Sequence, residues 1–216
     1  VPSLLRGFSA PVKLHYDYSR QDLVFLMSHD SDGFNRWEAG QKLAVDVIQE
    51  LIRDYQAGRE MVLDPLLEGA FQKVLSDRQL DPAIAAKVLQ LPSEAYLSEL
   101  AEEIDVAAIH HVRKFVRATL AERLQGLFMD CYRHNRSEQP YQMNAEAVGR
   151  RSLQNLSLSY LMTLNSPLVL TLAQEQFENS DNMTDSLAAL TLLAHSDFQA
   201  EREQALDAFY QRWQQD

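Results

Sequence analysis

This 216-residue chain has one cysteine, seven glycines, seven prolines and only 20 basic residues against 31 acids. A lone Cys131 cannot close an internal disulfide, so nothing demands an oxidising compartment and the cytoplasm is the expected setting. Few glycines and prolines leave few tight turns, which disfavours a sandwich or barrel of many short strands. The net charge of -11 removes the clustered positive surface that a nucleic acid or an anionic membrane would need, so neither is an expected partner. No run approaches the roughly 18 uncharged apolar residues of a membrane span. The best stretch, around Leu161 to Leu172, is broken by Asn165 and Pro167. An initiator methionine and a signal peptide are also missing. The chain is therefore expected to be a piece of a longer protein, whose reactive groups can lie elsewhere.

The 46% hydrophobic and 24% charged residues present are those of an ordinary globular protein. Residues 1–18 read differently from the rest. Val12, Leu14 and Tyr16 alternate with Lys13 and His15, which predicts a short strand over residues 11–16, the tail of a preceding β domain or a linker strand. From Ser19 onward apolar residues recur every three or four positions. Ser19 caps a helix that ends at His29–Gly33, and a second runs from about Phe34 to Tyr55. Asp64-Pro65 and Asp81-Pro82 each place an N-cap before a proline, whose missing amide the first helical turn does not use. A further helix follows from Ser93. The longest is expected from Asp105 to about Arg133 along Ile109, Val112, Val116, Leu120, Leu124, Leu127 and Cys131. Helices capped by Asn144 and Asn182, one from Leu168 and one from Phe198 complete the set. The expected fold is all-α, a layered or solenoid-like stack of about nine or ten helices with a short N-terminal β-strand segment, residues 19–216 forming the helical domain. No landmark recurs at a fixed spacing, so no named repeat class follows.

Chemistry-bearing motifs are scarce. No histidine is followed by the Glu-x-x-His of a helical zinc hydrolase. Glu102, Glu103, Asp105, His110 and His111 are the densest group of potential ligands, but adjacent histidines point about 100° apart on a helix and do not share an ion without distortion. Asp30-Ser31-Asp32-Gly33 suggests a calcium loop. Aligned on Gly33, though, it puts Ala39 where a bidentate glutamate is needed, and a plain turn is expected. Cys131 and His134 are three apart, but the cysteine continues an apolar stripe. Arg113, Lys114 and Arg117, with Arg150 and Arg151, are the only basic clusters and read as solvated faces or ion-pair partners. Asn135, Asn155 and Asn182 match the glycosylation pattern, which has no force without secretion; Asn182 reads as a helix cap. No catalytic residue, no metal ligand and no cofactor site is expected, and no substrate-binding residue is assigned.

Three stretches resemble the bacterial aminopeptidase N family. Val1-Pro2-Ser3-Leu4-Leu5-Arg6-Gly7-Phe8-Ser9-Ala10-Pro11-Val12 is similar to the segment that leaves that family's small β-sandwich. Asp32-Gly33-Phe34-Asn35-Arg36-Trp37-Glu38-Ala39 and Asn182-Met183-Thr184-Asp185-Ser186-Leu187-Ala188-Ala189-Leu190 are similar to later landmarks, in the same order. The resemblance implies a parent zinc metallopeptidase of the cytoplasm that removes N-terminal amino acids from peptides. Residues 1–18 would be the sandwich exit, and 19–216 the first part of a C-terminal helical domain that closes over the active-site cavity. The zinc motif and the Gly-Ala-Met-Glu-Asn exopeptidase motif are both absent; Gly69-Ala70 runs on to Phe71. The implied partners are the parent's catalytic and β-sandwich domains and, indirectly, peptide substrates. Two rivals are a free-standing helical scaffold that binds a protein and a helical metalloenzyme using His110 and His111. The expected strand discriminates against the scaffold, which has no use for an unpaired one.

Overall fold

A computed structural model describes residues 1–8, 15–137 and 139–215. These carry eleven α-helices: α1 (Arg20–His29), α2 (Gly33–Gln56), α3 (Pro65–Ser76), α4 (Pro82–Val88), α5 (Glu94–Glu99), α6 (Val106–Arg123), α7 (Gln125–Asn135), α8 (Ala145–Leu161), α9 (Pro167–Asn179), α10 (Met183–Ala194) and α11 (Gln199–Trp213). The caps explain the starts. Ser19 and Asp22 form a reciprocal capping box on α1, and Asp32, Asp64 and Asp81 each accept amides of the first turn that would otherwise be orphaned.

Two expectations need correcting. The all-α class holds, but the strand over residues 11–16 is not seen. Residues 11–14 lie outside the described residues. At 15–19 the backbone carries no ladder, the Tyr18 amide donating only to the Tyr16 carbonyl two residues back. Alternating side chains set a period, whereas a strand is made by its partner, and no second strand exists among the described residues. The long helix expected from Asp105 to Arg133 is two. Leu124, at φ -111 and ψ 20, leaves the helical region and separates α6 from α7. Before the break the buried stripe is Ile109, Val112, Val116 and Leu120; after it, Phe128, Met129, Cys131 and Tyr132 are buried and Leu127 is only partly so. The break shifts the phase by one residue, which a pattern of threes and fours tolerates without notice.

The chain divides into two compact units, residues 1–120 and 121–216. In the first, α1 packs on α2 and α3, and α2 on α4. Leu23, Leu26 and Met27 of α1 are buried with Leu43, Val47, Ile48 and Leu51 of α2 and Leu67, Phe71 and Val74 of α3. Each such side chain, fully buried, contributes about 2 kcal/mol over an exposed one. In the second unit α7 pairs with α8, and α9 with α10, which also meets α8 and α11. Phe128 and Tyr160 stack with ring centroids 4.5 Å apart. α8 is followed by a single 3-10 turn, Met162–Leu164, and by Asn165 in the left-handed region (φ 48), where a short polar side chain is tolerated.

Candidate functional site

In the first unit the Asp32–Ala39 landmark forms the α1–α2 corner. Asp32 caps α2, and the Asp30 Oδ1 atom accepts from the Asp32 amide (2.9 Å) and from Arg6 (3.2 Å). Asn35 donates to the Ser3 hydroxyl and the Leu4 carbonyl, so the N-terminal residues are latched onto the corner. The buried Arg36 donates to the Met27 and Ser28 carbonyls at the end of α1. The side chains of Asp32, Asn35 and Arg36 are thus spent on holding the corner, as a turn requires.

The Asn182–Leu190 landmark, in the second unit, borders a cleft of about 800 Å³ between the end of α7, residues 136–137 and 139–144, the start of α8, the end of α9 and the start of α10. Its floor is a chain of amides. Gln154 donates to the Gln176 Oε1 atom (2.8 Å), while the Gln176 Nε2 donates to Asn155 (2.7 Å) and to the Asp185 carbonyl (3.1 Å). The Asp185 carboxylate accepts from Asn155 (2.8 Å) and Asn182 (2.9 Å), and its own amide donates back to the Asn182 side chain. The buried Asp185 carboxylate is thus bonded by two side-chain amides at the start of α10.

Arginines hold the cleft's rim. Arg150 donates to the His134 and Arg136 carbonyls (3.0 and 3.4 Å), and Arg151 to that of Gln142 (3.0 Å), with its guanidinium 4.7 Å from the centre of the Tyr141 ring. The Tyr141 amide donates to Asp181 (2.6 Å). The Asn182 side chain and then this amide hold Asp181 below the usual carboxylate pKa, burial opposing them and the charge of Arg151 assisting. Arg136 pairs with Glu175 at 3.5 Å across the opening.

The residues singled out from sequence are mostly not brought together. His110 meets Glu94 (3.0 Å), whereas His111 stacks on Tyr55 with centroids 4.7 Å apart; the neighbours diverge, as their spacing dictates. Asp105 accepts the Ala108 amide and Gln56, while Glu102 and Glu103 are exposed. Cys131 is buried and His134 exposed. Arg113 donates to the Pro92 carbonyl, Lys114 is exposed and Arg117 half-buried. Asn135 donates to the Cys131 carbonyl, so the three glycosylation-pattern asparagines all serve the structure. Arg150 and Arg151, expected on solvated faces or as ion-pair partners, are half-buried and donate to backbone carbonyls. Gln154, Gln176 and Tyr141 were not foreseen. A buried glutamine reads like a surface one in a sequence, and only the neighbouring Asn182–Leu190 landmark pointed here.

Zinc finds no holder among the described residues. Among the described residues no three His, Cys, Asp or Glu side chains converge as ligands, so the donor set does not fit the ion. Among them, too, no helix is long and apolar enough to cross a membrane.

Known proteins resemble the chain over nearly its full length. The chain is 37% identical to aminopeptidase N of Escherichia coli (strain K12) and 35% identical to that of Haemophilus influenzae, aligned in both cases over 100% of this chain but 24% of the relative. It is also similar to the crystal structure of Legionella pneumophila aminopeptidase A in complex with aspartic acid, with a TM-score of 0.81 and 29% identity over 98% of this chain and 25% of that one. The chain spans about a quarter of the length of the curated relatives it matches. Residues 20–216 match the family model described as a domain of unknown function, DUF3458_C, ARM repeats, and the chain belongs to that family of helical domains, found here in aminopeptidase N relatives.

Proposed function

We propose that this chain is the non-catalytic helical domain of a zinc-dependent aminopeptidase, a wall of the active-site cavity that limits which substrates enter. The observation that carries the reading is the similarity of the whole chain, at 37% and 35% identity, to about a quarter of two aminopeptidases N. The lack of a converging ligand set among the described residues agrees with zinc and the reactive groups belonging to other parts of the parent. Residues 1–18 would be the exit of the preceding β-sandwich and residues 19–216 the first part of the C-terminal domain, in a protein of the cytoplasm. Paired helices make a stiff surface, and such a surface beside a catalytic cleft excludes water and admits short or unfolded peptides in preference to folded chains.

The test has two parts. The purified chain, mixed with zinc and an aminoacyl-p-nitroanilide, is expected to give no turnover above a boiled control; release of nitroaniline would overturn the non-catalytic reading. The full-length protein is expected to process a tetrapeptide and to leave untouched a stably folded protein bearing the same N-terminal residues. Equal processing of the two would sink the wall.

A further inference from the structure

A large apolar side chain exposed by itself needs no explanation, but a group of them in one short stretch does. Tyr96, Leu100, Ile104 and Val106 are 42–69% exposed. Tyr96 and Leu100 lie four apart on α5 and its C-cap and so share a face, while Ile104 and Val106 lead into the first residue of α6. The end of α2 borders them: Gln56 donates to Asp105 (3.1 Å), and the exposed Tyr55 stacks on His111. The core does not ask for these four side chains, because Leu97, Ala108, Ile109 and Val112 already bury the inner sides of α5 and α6.

The same stretch carries charge of one sign. From Val88 to Val112 there is no lysine or arginine, against the acids Glu94, Glu99, Glu102, Glu103 and Asp105. Glu94 meets His110, and Asp105 accepts from Gln56 and the Ala108 amide. Glu99, Glu102 and Glu103 are exposed and have no ion-pair partner among the described residues. Apolar side chains interleaved with unpaired carboxylates make half of an interface, and its complement is apolar and basic.

We propose that this face, residues 96–106 with Tyr55, docks on another domain of the parent chain, against a surface whose lysines and arginines surround apolar side chains. The choice of occupant rests on reading the chain as one domain of a longer aminopeptidase, since it spans about a quarter of the relatives it matches. A second copy is disfavoured, because it would bring the same carboxylates against each other. A tethered domain also needs less contact than a free partner. Its effective concentration is of the order of millimolar, so a face of a few side chains stays covered where a separate protein would dissociate.

The experiment is amidation of carboxylates in the full-length protein with a carbodiimide and glycine ethyl ester, the rate at each glutamate being read by mass spectrometry. Glu99, Glu102 and Glu103 are expected to react about tenfold or more slowly in the folded protein than in urea, and equally so after tenfold dilution. The Glu102→Lys/Glu103→Lys variant keeps the apolar side chains and repels a basic surface. It is expected to restore most of the lost rate at Glu99 while leaving helical circular dichroism unchanged. Glu102→Gln/Glu103→Gln is expected to act in the same direction with a smaller change, and stands in if the reversal does not fold. Three results would each overturn the proposal: reaction as fast in the folded protein as in urea, protection that fades on dilution and so belongs to a second copy or a separate protein, and protection indifferent to the substitutions. Nitroaniline release by the same wild-type preparation reports separately on the aminopeptidase reading, so protection without turnover would remove that reading and leave the interface standing.

Discussion

A glutamine side chain that is 6% exposed must find three or four hydrogen-bond partners inside the protein or forfeit them. Gln176 finds three, accepting from Gln154 and donating to Asn155 and to the Asp185 carbonyl, and so ties α8, α9 and α10 together at the floor of the cleft. Gln176→Leu keeps the shape and strands all three partners in a buried place. The expected cost is about 3 kcal/mol, read as a lower urea midpoint with an unchanged slope. Gly40 makes the opposite demand, for space. A Cβ there would lie 3.3 Å from the Val88 carbonyl oxygen and 3.4 Å from the Met27 sulfur. The sulfur can shift, but the carbonyl belongs to the end of α4. Gly40→Ala gains up to about 1 kcal/mol of helix propensity and loses more to overpacking, for a net loss of about 1 kcal/mol in the same denaturation assay. Neither residue announces itself in the sequence. A buried amide has the composition of a surface one, and a mid-helix glycine reads as a weakness until the chain that crosses it is known.

Helix starts were legible because their chemistry is local. Ser19, Asp64-Pro65, Asp81-Pro82, Ser93, Asn144 and Asn182 were all recognised from sequence, and each accepts an amide of its own first turn. What could not be read is whatever depends on a distant partner: the strand that needed a neighbour, and the break at Leu124, where a stripe of threes and fours conceals a slip of one residue. The cap aspartates also carry a pH dependence. The Asn35 amide above all lowers Asp32, and the Ala108 amide above all lowers Asp105; Asp181 is lowered in the same direction by the Asn182 side chain and then the Tyr141 amide. A folded-state value below the unfolded 3.8 means that the stabilisation is fully present above 3.8 and is lost as pH falls through the depressed values. Helical circular dichroism and thermal midpoint are therefore expected to be flat with respect to these groups from pH 7 to about 5 and to fall below about 4. The Asp32→Asn variant, whose side chain can cap but does not titrate, is expected to show a shallower fall. An identical acid profile for variant and wild type would remove Asp32 from the account.

Across the whole molecule, the division of labour proposed for the parent has a consequence that can be measured without any substrate. An ion that binds the folded chain and not the unfolded one raises stability by RT ln(1 + [L]/Kd), about 2.7 kcal/mol at a hundredfold excess over Kd. A chain whose adjacent His110 and His111 go separately to Glu94 and to Tyr55, and whose Cys131 is buried, offers no such site among its described residues. Its thermal midpoint is accordingly expected not to move when one equivalent of zinc or an excess of chelator is added, and dialysed protein is expected to hold well under one equivalent of zinc or iron. In the full-length protein the same chelator is expected to abolish aminopeptidase turnover while leaving the helical content of this domain intact. Those two outcomes together separate a structural wall from a metal-built domain. Retained activity would displace the catalytic zinc from the parent, whereas a midpoint that climbs with zinc would place a ligand set within these 216 residues.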